Sequence, residues 1–129
     1  MKTAEELGLT KEQFNALVKT LKWLRNDARY IDNADDPGKG RYFNMSVWDV
    51  APHRCDSVGC IGGTAAYFSG NEKLFSGAIP QSEALSDLFY PDIVEDLEAL
   101  QRITTAQAAT ALSNYLNYGD ARWGKVLHE

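Results

Sequence analysis

The clearest helix start in the chain reads Leu9-Thr10-Lys11-Glu12-Gln13-Phe14. Thr10 is a preferred N-cap residue, Gln13 lies at the capping-box position, and Leu9 and Phe14 have the spacing of a hydrophobic staple. Apolar side chains then recur at the spacing of one helix face, at Phe14, Leu17, Val18, Leu21, Leu24 and Ala28. The pattern predicts an amphipathic helix over residues 11–30.

The same combination of N-cap, capping box and hydrophobic staple recurs near the carboxyl end, in Ile103-Thr104-Thr105-Ala106-Gln107-Ala108. Apolar residues follow at helical spacing as far as Leu116, and Gly119 is the expected C-cap. Between these two long helices the sequence predicts three shorter ones, over residues 60–69, 82–89 and 92–100.

Elements other than helices are scarce in the pattern. Residues 33–40 are a run of turn formers, residues 41–48 are aromatic and extended in character, and residues 52–59 look irregular. The sequence therefore predicts a mainly α fold. We expect one compact domain over residues 1–129, with about five helices, at most one short extended segment and an ordered core over residues 9–119.

Composition places the chain among ordinary globular proteins. Its 129 residues suffice for one domain, and its hydrophobic fraction of 44% and charged fraction of 24% are near globular averages. No apolar run approaches the roughly 20 residues of a membrane span, and the first residues lack the apolar core of a signal peptide. We therefore expect a cytoplasmic protein without a cofactor, in which Cys55 and Cys60 stay reduced.

The net charge of −5 is concentrated in the last third of the chain. Residues 81–129 hold three Lys or Arg against eight Asp or Glu, and the run from Glu83 to Glu98 contains no cation. Such a run repels a phosphate backbone, so direct nucleic-acid binding is disfavoured, although the first helix could carry a basic face. A basic protein partner is the better match, with Glu95, Asp96 and Glu98 as candidate binding residues. The alternative is a solvated helix face.

Aromatic residues are a second group of candidate binding residues. Trp123 lies beyond the last predicted helix end, in a polar string from Gly119 to Lys125, and has no periodic reason to be buried. We predict that Trp123 contacts a partner. The other aromatic residues of interest either line a pocket or pack in the core, and core packing is the simpler explanation; they are Trp23, Tyr42, Phe43, Trp48, Tyr67 and Phe68.

The segment that holds both cysteines contains the side chains most suited to catalysis or metal binding. It reads His53-Arg54-Cys55-Asp56-Ser57-Val58-Gly59-Cys60. A helix N-terminus favours the thiolate form of a cysteine, so Cys60 is a candidate nucleophile with His53 as its base. His128 is an alternative base, and the backbone N–H groups of Ile61 and Gly62 would form an oxyanion hole. This hypothesis describes a cysteine-dependent hydrolase or transferase.

Two other interpretations of the same segment stay open. His53, Cys55 and Cys60 are ligands of the kind that zinc prefers, but a closed structural site needs a fourth ligand. Alternatively, both cysteines pack like small hydrophobes at a loop-to-helix junction, where neighbouring small residues let another element approach closely. Packing is the simplest of the three interpretations, so we expect a binding protein more than an enzyme.

Three motifs resemble a loose group of small bacterial and phage-encoded proteins. They are Phe43-Asn44-Met45-Ser46-Val47-Trp48, the cysteine segment continued through Cys60-Ile61-Gly62-Gly63, and Ile103-Thr104-Thr105-Ala106-Gln107-Ala108-Ala109. Members look like F-N-M-x-x-W, H-x-C-G-T-x-x-C-I-A-G and I-T-x-x-Q-A-A, whereas this chain has Asp56-Ser57 in place of Gly-Thr and Gly62 in place of Ala. The resemblance covers residues 10–120 and implies an architecture but no catalytic residues. We expect a partner-binding accessory protein of bacterial or phage origin.

Overall fold

The computed structural model describes residues 1–26, 29–30, 41–43, 45, 49–50, 57–71, 73–75, 82–91, 99–100 and 102–128. Within them lie five helices: α1 (Lys11–Asn26), α2 (Ile61–Ser69), α3 (Glu83–Phe89), α4 (Thr105–Tyr118) and α5 (Trp123–His128). Residues 99 and 100 are helical as well. The predicted mainly α fold is confirmed. None of the described helices is long and apolar enough to cross a membrane.

Both long helices begin at the capping boxes that the sequence predicts. The N–H of Thr10 donates to Gln13 Oε1 at 3.0 Å, and the N–H of Gln13 donates to Thr10 Oγ1 at 3.1 Å. Thr104 and Gln107 make the same reciprocal pair at the start of α4. Each box satisfies helix N–H groups that otherwise lack a partner, so each fixes where its helix starts. At the other end of α4, Gly119 is the C-cap, with the left-handed φ of 78° that favours glycine.

Gln13 also connects α1 to a distant turn. Its side chain is buried, with 8% of its surface exposed, and its Nε2 donates to the carbonyl oxygen of Leu74 at 2.8 Å. The amide group therefore accepts one hydrogen bond from the N–H of Thr10, just before α1, and donates another to the segment that follows α2. A buried polar side chain is stable only when its hydrogen bonds are made, and both ends of this amide have partners.

Within the described part of the chain, four short strands form a small sheet beside the helices. They are β1 (Arg29–Tyr30), β2 (Arg41–Phe43), β3 (Asp49–Val50) and β4 (Ser57–Gly59), in the order β1-β2-β4-β3. β1 pairs parallel to β2, β2 pairs parallel to β4, and β3 pairs antiparallel to β4. Since β4 lies between two partners and ends one residue before Cys60, the sheet positions the start of α2.

The sheet differs from the expectation of at most one short extended segment. Residues 41–43 lie within the predicted extended stretch, but the sequence suggested irregular structure for residues 57–59 and helix for residues 29–30. α1 ends at Asn26 because the chain then supplies β1, whose register places Arg29 opposite Tyr42. Strands of two or three residues carry almost no periodic signal and form only because distant segments pair with them.

The core lies where α1 packs against α2 and α4, with α3 and α5 closing it on the side of α4. Leu17, Ile61, Leu85 and Leu112 are completely buried, as are several further apolar side chains of one continuous cluster. The cluster extends past residue 119, because it includes Ala121, Trp123 and Val126. The C-terminal segment is thus part of the packed core.

Tyr115 provides a pH-dependent test of this packing. Its side chain is 1% exposed, and burial raises its pKa to about 12 from an ordinary value of 10.0. The folded state thus keeps a proton that the unfolded state loses, so this contribution to stability is complete below pH 10 and is lost as the pH rises towards 12. We expect urea unfolding to show falling stability across this range and Tyr115→Phe to flatten the decline. An unchanged decline in Tyr115→Phe would contradict this origin.

Candidate functional site

Cys60 lies at the junction of sheet and helix, between the last residue of β4 and the first residue of α2. It is the N-cap residue of α2 with an extended backbone (φ −84°, ψ −169°), and its side chain makes no capping hydrogen bond. Its carbonyl oxygen accepts the first helical hydrogen bond, from the N–H of Thr64 at 2.9 Å. The sequence therefore predicted the position of Cys60 at a helix N-terminus correctly.

The environment of the Cys60 thiol is that of a core residue. Its side chain is 2% exposed and belongs to the same hydrophobic cluster as Phe43 and Met45. Tyr90 lies close enough that Cys60 contributes, after partial burial, to raising the pKa of the tyrosine hydroxyl. Reactive cysteines are partly exposed in electropositive surroundings, whereas structural ones are buried in apolar surroundings. The described surroundings of Cys60 fit the packing interpretation.

The partners proposed for Cys60 fall outside the part of the chain that the structure describes. This holds for His53 and Cys55, and of His128 only the backbone in α5 is described. Within the described residues, no three His, Cys, Asp or Glu side chains form a group that could hold a metal ion. The catalytic pair and the zinc triad therefore stay predictions. The candidate binding residues Glu95, Asp96 and Glu98 also lie outside the described ranges.

The expectation that Trp123 lies at the surface is wrong. Its side chain is 2% exposed, because α5 begins at this residue and turns the indole into the core. The indole Nε1 donates to the carbonyl oxygen of Asp87 in α3 at 2.9 Å. No hydrophobic periodicity predicts this burial, because a helix as short as α5 shows no repeat. The indole therefore ties α5 to α3 and has no free face for a partner.

A different set of aromatic side chains reaches the surface together. Trp23 of α1 and Phe68 of α2 meet edge to face, with ring centroids 5.8 Å apart, and Tyr67 contacts Phe68 at 5.5 Å. All three rings are half-buried. The Nζ atom of Lys19 stands over the Phe68 ring, 5.5 Å from its centroid, at the distance of a cation–π contact.

Two open depressions adjoin each other along this contact between α1 and α2. The first has a volume of about 430 Å³ and the second a volume of about 260 Å³. Phe68 and Lys19 line both. We call the two together the α1–α2 groove, and its further described lining residues are Glu12, Asn15, Ala16, Lys22, Trp23, Asn26 and Ser69.

The α1 side of the groove is a single stripe of the helix surface. Glu12, Asn15, Lys19, Lys22 and Asn26 follow one another at intervals of three or four residues, and all five side chains are exposed. This spacing is that of neighbours on one helix face. The sequence placed Trp23, Tyr67 and Phe68 among candidate pocket residues but missed these polar residues. Their own three- and four-residue spacing along the polar side of α1 is the sequence signal that could have identified them.

An exposed aromatic residue lies at the end of α4. Tyr118 is 58% exposed, and the guanidinium carbon of Arg122 stands 4.2 Å from the centroid of its ring. Arg122 has a positive φ of 58°, which few non-glycine residues adopt. Half-buried aromatic rings and exposed lysines line the α1–α2 groove together, so the groove is the better candidate for a binding surface.

Comparison with known proteins adds no assignment to this geometry. The resemblance to small bacterial and phage proteins rests on short motifs and stays a prediction. No protein-family model, no curated protein and no solved structure matches this chain.

Proposed function

We propose that this chain is a cytosolic partner-binding accessory protein of bacterial or phage origin, which acts by holding another protein on its surface. The observation that supports the proposal is the α1–α2 groove, where half-buried aromatic rings lie beside exposed lysines. Aromatic side chains in partly formed pockets are the usual anchors of protein interfaces, because each buries a large area at little cost in side-chain entropy.

The burial of Cys60 supports binding over catalysis by this residue. A nucleophilic cysteine must reach its substrate, and the Cys60 side chain is 2% exposed. Phe68, by contrast, is accessible and central, since it lines both depressions of the groove. The proposal therefore assigns the function to the outer surface of α1 and α2 and a packing role to the N-terminus of α2.

Capture of the partner by tagged protein from source cells tests this proposal. We expect Phe68→Ala to lower recovery of the partner by about tenfold, which is the effect of removing one good interface anchor. Tyr118→Ala is the matched control, because it removes an aromatic ring that is 58% exposed on another part of the surface. Circular dichroism would confirm that both variants keep their helices. Equal recovery with Phe68→Ala and Tyr118→Ala would contradict the proposal.

The acidic stretch from Glu83 to Glu98 is a second contact candidate from the sequence. Glu83 is exposed in the first turn of α3, which agrees with a charged outer surface at that position. In the same capture experiment, a variant with Lys at Glu95, Asp96 and Glu98 tests this stretch, since a basic partner region would be repelled. Unchanged recovery with this variant would limit the contact surface to the α1–α2 groove.

A further inference from the structure

We infer that the α1–α2 groove binds a short acidic peptide segment that also carries apolar side chains. This inference rests on the proposed function and specifies the chemistry of the partner. Of the described residues that line the second depression, Lys19 and Lys22 are cationic and none is acidic. Both lysine side chains are exposed, so their ammonium groups can pair with carboxylates of a bound segment.

Apolar contacts in the groove complement these charges. Trp23 is half-buried: it packs against the hydrophobic core and also lines the second depression. Phe68 contributes to the floor of both depressions. A peptide side chain such as Leu or Phe would cover these rings, while an acidic neighbour on the same peptide would reach Lys22. Burial of apolar area then supplies affinity, and the charge pair supplies selectivity.

A nucleic acid fits the groove less well than an acidic peptide. Stacking of bases requires open ring faces, but Lys19 stands over the Phe68 ring and the edge contact with Trp23 occupies another side. Glu12 lines the far end of the groove, where it would repel a continuous phosphate backbone. The net charge of −5 opposes a long polyanion in the same way. A segment with a few carboxylates carries less charge than a nucleic acid and can end short of Glu12, so both penalties are smaller.

The dimensions of the groove suit a short segment. From Glu12 to Asn26 the rise of α1 amounts to about 21 Å, at about 1.5 Å per residue. This length accommodates about six residues of extended chain or about 14 residues of helix. Because Glu12 is at one end and Lys22 near the other, the acidic side chains of the segment would lie towards Lys22.

Fluorescence anisotropy with defined probes tests the inference on the full chain. The first probe is a labelled amphipathic peptide of about 12 residues, matched to the groove length, with Leu and Phe on one helix face and Glu on the other. The second probe replaces every Glu by Gln, and the third is a labelled oligothymidylate. We expect the acidic peptide to bind at least about tenfold more tightly than the Gln peptide, and salt to weaken its binding.

Three variants locate the binding to the groove. Lys22→Glu should weaken binding of the acidic peptide by about tenfold, whereas Glu12→Gln should leave it equal or tighter. Lys125→Glu is the matched control, because Lys125 is exposed on α5 and its reversal changes the net charge by the same amount. It should change the dissociation constant by less than about twofold. All three are surface substitutions, and thermal unfolding would confirm that they fold.

Several results would overturn the inference. These are an absence of saturable binding of the acidic peptide, equal binding of the Gln peptide, equal effects of Lys22→Glu and Lys125→Glu, or tighter binding of oligothymidylate. A dimer of the wild type that Lys22→Glu dissociates would instead assign the groove to a second copy. If capture depends on Phe68 while the acidic peptide fails to bind, the proposed function stands and the inference falls. If capture does not depend on Phe68, the proposed function falls independently.

Discussion

Replacement of Trp123 by Ala is expected to lower the free energy of unfolding by about 3–5 kcal/mol, which is the usual cost of emptying a buried aromatic site. The indole is 2% exposed, so its removal leaves a cavity between α5 and α3. Because stabilities of small domains are only about 5–15 kcal/mol, this single change would leave the fold marginal. Urea unfolding followed by circular dichroism measures the effect.

Trp123→Phe separates the hydrogen bond from the packing. Phenylalanine retains much of the apolar area but has no N–H, so the carbonyl oxygen of Asp87 loses a donor that now lies 2.9 Å away. We expect a loss of about 1–3 kcal/mol, smaller than for Trp123→Ala. Lys125→Ala is the control on the same helix, where an exposed side chain should contribute within about 0.5 kcal/mol. A stability of Trp123→Ala equal to that of Lys125→Ala would show that the indole is not packed in the core.

The second large effect concerns the reactivity of Cys60. In a Cys55→Ser background, iodoacetamide should alkylate Cys60 in the folded protein at least about 100-fold more slowly than in urea, because the buried thiol reacts only after the protein opens. Intact mass spectrometry at successive times measures both rates. The ratio of the alkylation rate in urea to the rate in the folded protein should be smaller for Trp123→Ala, since a destabilised fold opens more often.

The catalytic hypothesis predicts the opposite behaviour of the same thiol. A nucleophile activated by His53 would react in the folded protein well below pH 8.5, and His53→Ala would slow it. Fast labelling of the folded protein near neutral pH would therefore contradict the packing interpretation and revive the hydrolase or transferase hypothesis. The zinc hypothesis has its own test, since it requires about one zinc ion per chain that Cys60→Ser removes.

The parts of the fold that the sequence predicted are those determined by local interactions. Thr10 with Gln13 and Thr104 with Gln107 act within one turn of chain, so their spacing alone indicates a helix start. The same holds for Ser82, whose side chain caps α3 by accepting from the N–H of Leu85. Gly70 and Gly119 close α2 and α4 in left-handed conformations, and Gly119 is the C-cap that the sequence predicted.

The parts that the sequence did not predict depend on contacts between distant residues. β4 exists because it pairs with both β2 and β3, and three residues do not show a strand period. Trp123 is buried through a partner 36 positions away in the chain. The α1–α2 groove combines a stripe of α1 with Phe68 of α2, so neither segment alone reveals it. The sequence indicated only the aromatic residues of that surface, Trp23, Tyr67 and Phe68.

Gln13 shows how one of these contacts changes the meaning of a familiar motif. Capping boxes use Glu or Gln at this position interchangeably, and Gln107, half-buried in its own box, fits that rule. At residue 13 the amide nitrogen must also donate to the Leu74 carbonyl, and a carboxylate would set two acceptors against each other. For anyone redesigning this chain, two identical-looking motifs thus carry different rules of substitution. Glutamate is an acceptable replacement for Gln107, whereas at residue 13 it would place a carboxylate oxygen against the Leu74 carbonyl oxygen.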